Sequence, residues 1–227
     1  MRKGLKGGLD LNRAAISQYL SLNHTTTRSC IVQGVNKVPP ATYVEIHKNQ
    51  SPKLVRYWDL AEIFCREKLR MTDREATEHL ANLIDQSVRQ RLCSDVPLGS
   101  FLSAGIDSAC ITESMKRQAS ESQGTPQAYS MGFFEAEFDE TKGAAETADA
   151  IGIKMISQKS SVNLAECLTK IIESFDEPFA DTSMIPTYQL CGFAREHVKV
   201  SLSGDGGDEL QYGYNRHIYW YYLHELP

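Results

Sequence analysis

The stretch that most limits what this chain can fold into is Phe101-Leu102-Ser103-Ala104-Gly105-Ile106-Asp107-Ser108, where an apolar run breaks into small residues and re-enters a helix-like pattern at Ala109. Val96, Leu98, Phe101 and Leu102 read as a short buried strand, while Ile111, Met115 and Ala119 recur at helical spacing. The small residues therefore occupy a strand-to-helix turn. Such a turn points backbone N–H groups outward at a helix N-terminus, where unsatisfied donors and the helix dipole attract anions. Ser103 and Ser108 add hydroxyls, and Gly105 has no side chain to hold a phosphate away. A phosphate cradle follows; the plainer alternative is a junction with Asp107 or Ser108 as N-cap.

The cradle is not of the Walker type, which needs a Lys-Ser/Thr pair after its second glycine. In place of that lysine stands Asp107, an acid that would repel a phosphate unless a divalent cation lay between them. The turn thus predicts a magnesium nucleotide. A second loop, Ser203-Gly204-Asp205-Gly206-Gly207-Asp208-Glu209, follows the apolar run Val198 to Leu202 and sets three acids among three glycines. Its spacing is not that of an EF-hand, and carboxylates on a backbone free to approach a ligand suit magnesium with ATP.

Between the loops, apolar strands (Ala128 to Phe133, Lys154 to Ser157) alternate with helical patterns (Asp139 to Ile151, Leu164 to Ile172, Ser183 to Glu196). That alternation predicts an α/β fold with a doubly wound parallel sheet, whose ligands sit at the carboxyl ends of strands. Both loops lie at such ends. Upstream, Thr72 or Asp73 can cap a helix carrying Ala76, Leu80, Leu83, Ile84 and Val88. Residues 61–75 read as a charged connection, and residues 1–60, with a helical Leu11 to Leu22 and a strand at Tyr43 to Ile46, are too few to close a core alone.

With 227 residues the chain holds one large domain or two small ones. Its net charge of −5 argues against nucleic-acid or membrane-surface partners, which are themselves anionic. The six cysteines are scattered with no Cys-x-x-Cys pair and read as buried free thiols. Met1-Arg2-Lys3 is followed by no apolar core of a signal peptide, and no run is long enough to span a membrane, so a soluble cytoplasmic protein is expected. His197, His217 and His224 have no metal-site spacing and are expected at the surface.

Ser103-Ala104-Gly105-Ile106-Asp107-Ser108 resembles the pyrophosphate loop of the ATP pyrophosphatase superfamily, usually Ser-Gly-Gly-x-Asp-Ser, whose members cleave ATP between the α and β phosphates. Ala104 takes the place of the usual Gly, which matters if that backbone needs positive φ. The second loop is similar to the Ser-Gly-(Glu/Asp)-Gly-x-Asp-Glu segment of asparagine synthetases, with Tyr214 and Arg216 in the family's Gly-Tyr-x-Arg pattern and Gln211-Tyr212 in place of Phe-Gly. Gly34 to Pro40 and Arg56 to Leu60 resemble the tail of the glutaminase domain in the glutamine-hydrolysing members, with Ala41 for the Gly that commonly follows the prolines.

The resemblance implies an adenine nucleotide α-hydrolase-like sheet over residues 76–227, preceded by the tail of an α+β glutaminase domain over residues 1–60. It implies that ATP activates a carboxylate as an acyl-adenylate and that ammonia from glutamine then forms the amide, aspartate giving asparagine. Carried over by position, Phe101, Leu102, Ser103, Gly105, Asp107, Ser108, Met131, Ser203 and Gly204 would bind ATP. Asp107 and Asp208 would hold Mg2+, and Asp205 would act beside the reacting carboxylate. Phe175 to Ser183 resembles the acidic turn before the active-site helix, with Glu177 leaning structural and Asp181 and Ser183 open.

The family's glutaminase nucleophile is an N-terminal Cys, but position 2 is Arg2; a late lysine of the family is also missing, so a fragment with exposed aromatics from Tyr214 to Tyr222 is expected. Acceptors such as a sugar acid or a β-lactam precursor stay open, as does a nucleotide-binding remnant without catalysis. A sulfur-transfer ATP pyrophosphatase lacks support from paired cysteines, and a homodimer of the intact enzyme is allowed.

Overall fold

The computed structural model describes residues 10–119, 125–133, 139–160, 164–175 and 177–225. Met1-Arg2-Lys3 and Asp176, used above, lie outside them. In chain order the elements begin with α1 (Arg13–Leu22), β1 (Thr42–Glu45), β2 (Lys53–Arg56), α2 (Leu60–Phe64), α3 (Asp73–Arg91), β3 (Leu98–Phe101), α4 (Ile106–Gln118) and β4 (Gln127–Gly132). They continue with α5 (Thr141–Ile151), β5 (Lys154–Lys159), α6 (Leu164–Ser174), α7 (Met184–Ala194), β6 (Val200–Leu202), α8 (Gly207–Gln211) and α9 (Asn215–Glu225). The chain divides into two compact units, residues 1–70 with 163–185 and residues 71–162 with 186–227.

In the smaller unit, Asn12 caps α1 by accepting from the N–H groups of Ala14 and Ala15 at 3.1 and 3.2 Å. Strands β1 and β2 form an antiparallel hairpin with Tyr43 opposite Val55. Glu177 ties the later segment to the earlier one. Its carboxylate accepts from Thr25 Oγ1 at 2.8 Å and Ile31 N–H at 3.0 Å, and pairs with Lys37 Nζ at 2.7 Å. Burial opposes its charge, but the bonds from Lys37, Thr25 and Ile31 and the lysine's charge outweigh that and hold the carboxyl below the ordinary glutamate value. Glu177 is thus a structural clasp within this unit.

Ala41, with φ of 56°, lies in the left-handed region. That conformation costs an L-residue about 1 kcal/mol that glycine does not lose.

The larger unit is built on a fully parallel sheet in the order β5-β4-β3-β6. The chain steps outward from β3 to β4 and β5 and then returns to the other side of β3 as β6. The direction therefore reverses between β3 and β6. Leu98 pairs with Val200 and Ser100 with Leu202, so the two strands end at the same level. Side chains alternate across the sheet. Leu98, Leu102 and Ala128 join Val88, Met115, Ala144 and Ala148 in one core, while Tyr129, Phe193, Ala194 and Val198 form a second, packed by Phe101, Met131 and Ile156. Helices on both faces make the sheet doubly wound, as expected.

Helix α3 is opened by a capping box in which Thr72 and Glu75 satisfy each other's N–H groups. It is tied to α4 by Arg117, which donates to both oxygens of Asp85 at 2.7 and 2.8 Å.

Several expectations change. Helix α4 starts at Ile106 rather than Ala109, and a short α2, capped by Asp59, opens the stretch read as a charged connection. Cys30 and Cys167 are buried, but Cys65, Cys93, Cys110 and Cys191 are exposed, because the last four sit at helix ends or outer helix faces where a small side chain costs little. All six are free. His197 is exposed and stacks on Tyr129, whereas His217 is not a plain surface residue: its ring packs against Tyr212 and Tyr214, and its Nδ1 is buried without a hydrogen-bond partner. Among the described residues, no helix is long and apolar enough to cross a membrane.

Two outcomes are expected from the smaller unit. Ala41→Gly should raise unfolding stability by about 1 kcal/mol, read from the urea midpoint. Glu177 has a folded pKa below its unfolded one, so its contribution is complete above about pH 4.5 and is lost as pH falls through the lower folded value. Urea titrations of Glu177→Gln should show a loss of about 2 kcal/mol at neutral pH that shrinks in acid; a loss independent of pH would contradict the clasp.

Candidate active site

The loop after β3 and the loop after β6 meet at the point where the strand order reverses, the place where open parallel sheets bind ligands. They touch through glycine. A Cβ on Gly204 would lie 2.8 Å from Ser108 N and 3.0 Å from the Asp107 Cβ, and one on Gly207 would lie 2.2 Å from Asp107 Oδ2. A side chain at Gly204 would meet the backbone of α4, while one at Gly207 would meet only the end of the Asp107 side chain, so it is at Gly204 that the second loop rests directly on the first turn of α4.

The first loop is braced internally. Ser103 N–H donates to Ser108 Oγ at 3.1 Å, the two hydroxyls are 2.9 Å apart, Gly105 N–H donates to Ser103 Oγ at 3.1 Å, and Ser108 Oγ reaches Gly105 O at 3.0 Å. The N-cap of α4 is Gly105, with no side-chain cap, so neither Asp107 nor Ser108 serves as one. The helix end therefore presents uncapped N–H groups. Ser108 is buried, Ser103 and Asp107 are half-buried, and Gly105 is exposed. Ala104 is not among the residues of positive φ, and its methyl lies against Gly143 of α5, where an added Cβ would come within 2.8 Å of it.

In the second loop, Ser203 Oγ donates to Asp205 Oδ2 at 2.9 Å, and Gly206 takes φ of 94°. Asp205 is exposed, and its charge, after burial, helps push the Cys191 thiol on α7 upward. Asp208 lies back along the following turn, where a Cβ on Gly213 would stand 1.9 Å from its Oδ1. Tyr214 Oη donates to Glu209 at 2.7 Å, and the Arg216 guanidinium lies 4.1 Å from the centre of the Tyr214 ring. Of the remaining candidates, Leu102 is buried in one core, and Phe101 and Met131 are half-buried against the other, near the ends of β3 and β4.

Asp107 and Asp208 make no side-chain hydrogen bond or ion pair among the described residues, and no three acidic, His or Cys side chains cluster there as a ready metal cage. Asp107, an unpaired carboxylate in the first turn of α4, and Asp208, an unpaired carboxylate of the second loop, are of the kind that suits magnesium held jointly with a ligand's phosphates, which needs only one or two protein carboxylates. The sequence reading did not assign Gly207, the seat of Asp107, or the match of Ala104 to Gly143. The glycine run signalled the first; nothing local signals the second. Two open clefts of about 250 and 560 Å³ lie elsewhere, in the smaller unit, both lined by His24, Thr25 and Lys37 and by no residue of either loop.

Paired glycine loops over a helix N-terminus, at the reversal point of a doubly wound parallel sheet, define an α/β protein with a candidate ligand site at its strand ends. The chain belongs to the asparagine synthase family, whose model matches residues 79–227. It is 34% identical over 208 residues to asparagine synthetase [glutamine-hydrolyzing] 1 of Bacillus subtilis, covering 91% of this chain and 32% of that protein. It is 30% identical over 227 residues to putative asparagine synthetase [glutamine-hydrolyzing] 2 of Methanocaldococcus jannaschii, covering 96% and 42%. The chain thus spans about a third of the length of the first relative. Among solved structures it is similar to a glutamine-dependent NAD+ synthetase from Acinetobacter baumannii in complex with ADP, at 20% identity, TM-score 0.41 and coverage of 66% and 29%.

The contact between the loops has a direct consequence. Gly204→Ala should lose about 1 to 3 kcal/mol in urea unfolding by forcing its methyl onto the backbone of α4, whereas Gly192→Ala, which meets nothing within 4 Å, should cost far less.

Proposed function

We propose that this chain carries the nucleotide loops of an ATP-dependent, glutamine-hydrolysing carbon–nitrogen ligase that converts aspartate to asparagine. One observation carries the reading: Gly204 sits on the Ser108 N–H turn, which puts the acidic loop beside an uncapped helix N-terminus. ATP would lie with its pyrophosphate over Ser103, Gly105 and Ser108, its adenine against Phe101, Leu102 and Met131, and its α-phosphate near Ser203 and Gly204. Leu102 has a buried side chain, so its contribution there is its backbone.

Asp107 and Asp208 would hold magnesium, which when bound supplies the positive charge that lets two anions approach. In the first step a carboxylate oxygen of the acceptor attacks the α-phosphorus, the bond to the β-phosphate oxygen breaks, and pyrophosphate leaves. The helix N–H groups face the charge that develops on it. In the second, ammonia attacks the acyl carbon, AMP leaves, and the attacking nitrogen gives up a proton. Asp205 would be the acid beside that event, the place the family resemblance gives it. Ser203 engages one of its oxygens and leaves the other free to take the proton.

Residues 1–60 are proposed as the tail of the glutaminase domain, 61–75 as the connection and 76–227 as the first part of the synthetase domain. A cytoplasmic, homodimeric intact enzyme completes the reading. Calorimetry on the whole chain tests the site. Saturable ATP binding that requires magnesium, weakened about tenfold or more in Asp107→Ala, is expected. Binding indifferent to magnesium and to Asp107 would remove the basis for the assignment.

A further inference from the structure

We propose that Ser108 is a positioning residue that shapes the cradle through Ser103 and does not itself donate to the bound anion; this rests on the nucleotide reading above. A serine hydroxyl has one proton and two lone pairs. One lone pair of Ser108 takes the Ser103 N–H at 3.1 Å. Its proton has three partners in range, Gly105 O at 3.0 Å, Ser103 O at 3.4 Å and Ser103 Oγ at 2.9 Å. If the proton goes to either carbonyl, the Ser103 hydroxyl donates to Ser108 and fills its second lone pair. If it goes to Ser103 Oγ, then Ser103, which also accepts from Gly105 N–H at 3.1 Å, has both lone pairs filled and its own proton free.

In both arrangements the Ser108 proton is spent inside the loop, and only Ser103 changes. Burial agrees, since Ser108 is 8% exposed whereas Ser103 is half-buried. Ser108 therefore acts as a strut that sets whether Ser103 has a proton to offer outward. The anion meets Ser103 and the α4 N–H groups.

The Ser103 amide is the reporter. Its hydrogen exchange, followed by NMR on the full chain without ligand, should quicken on the order of tenfold in Ser108→Ala, while Ser108→Thr, which keeps the hydroxyl, stays within about threefold. Unchanged exchange in Ser108→Ala would overturn the strut.

Calorimetry with inorganic pyrophosphate and with magnesium ATP gives a second arm that does not rest on one variant. Ser103→Ala and Ser108→Ala should each weaken binding, and the double variant should bind no worse than the weaker single. Losses that multiply would mean two independent contacts and would refute the proposal. In the wild type, added nucleotide should leave Ser103 N–H protected; loss of that protection would show the Ser108 oxygen turning to the ligand, again refuting it. A wild type that binds neither probe, with the exchange result as expected, would sink the nucleotide reading while supporting the strut.

Discussion

Gly204 lies so close over the first turn of α4 that a methyl group there would stand 2.8 Å from Ser108 N, and the geometry of both loops follows from that approach. The paired ends of β3 and β6 bring the two loops to the same height, and the missing side chains at 204 and 207 let them close. Two opposite electrostatic features are thereby stacked. The N-terminus of α4 carries partial positive charge and unsatisfied N–H groups, while Asp107 in its first turn brings negative charge to its edge. Asp107 gains from the helix dipole it sits in, which is why an unpaired acid persists there. A phosphate alone would meet that acid as a repulsion, whereas a phosphate carrying a divalent cation meets both features as attraction.

Much of this frame was legible in the sequence because it is written in local patterns. The apolar run before Ser103, the Thr72 capping box and the strand–helix alternation each depend on neighbours in sequence, and the structure places them within a few residues of where the pattern does. Side-chain commitments were not legible. Ser103 and Ser108 read as two equivalent hydroxyls, yet one is buried among four partner atoms and the other is half-open. Cysteine exposure escaped for a related reason: the residue is small enough to sit at a helix end or inside a core, and the sequence carries no period to separate Cys65 from Cys167. Glu177 needed partners about 150 residues away before its role could be assigned by geometry rather than by chemistry.

Three departures from the family pattern show why a substitution cannot be weighed by residue type alone. Ala104 and Ala41 both stand where glycine is usual. At 104 the backbone is not left-handed, and the methyl finds its space at Gly143, so the change is absorbed by a glycine on another helix. At 41 the backbone is left-handed, and the cost remains in the fold.

Tyr212 is the third, and it reaches furthest into the site. A bulky residue at φ of 58° is an uncommon conformation. It is kept because its N–H and that of Gly213 both donate to Asp208 O, closing α8, and because its ring packs edge-on to His217. Those same bonds fix where the turn passes Asp208. A side chain at Gly213 would then displace the Asp208 carboxylate and crowd its Cα at 3.2 Å. The orientation of one of the two acids available for a cation is thus set by a strained residue four positions along the chain. A change at Tyr212 would act on Asp208 without touching any ligand: relaxing the left-handed turn would free backbone strain, but would also loosen the carbonyl that anchors the acid.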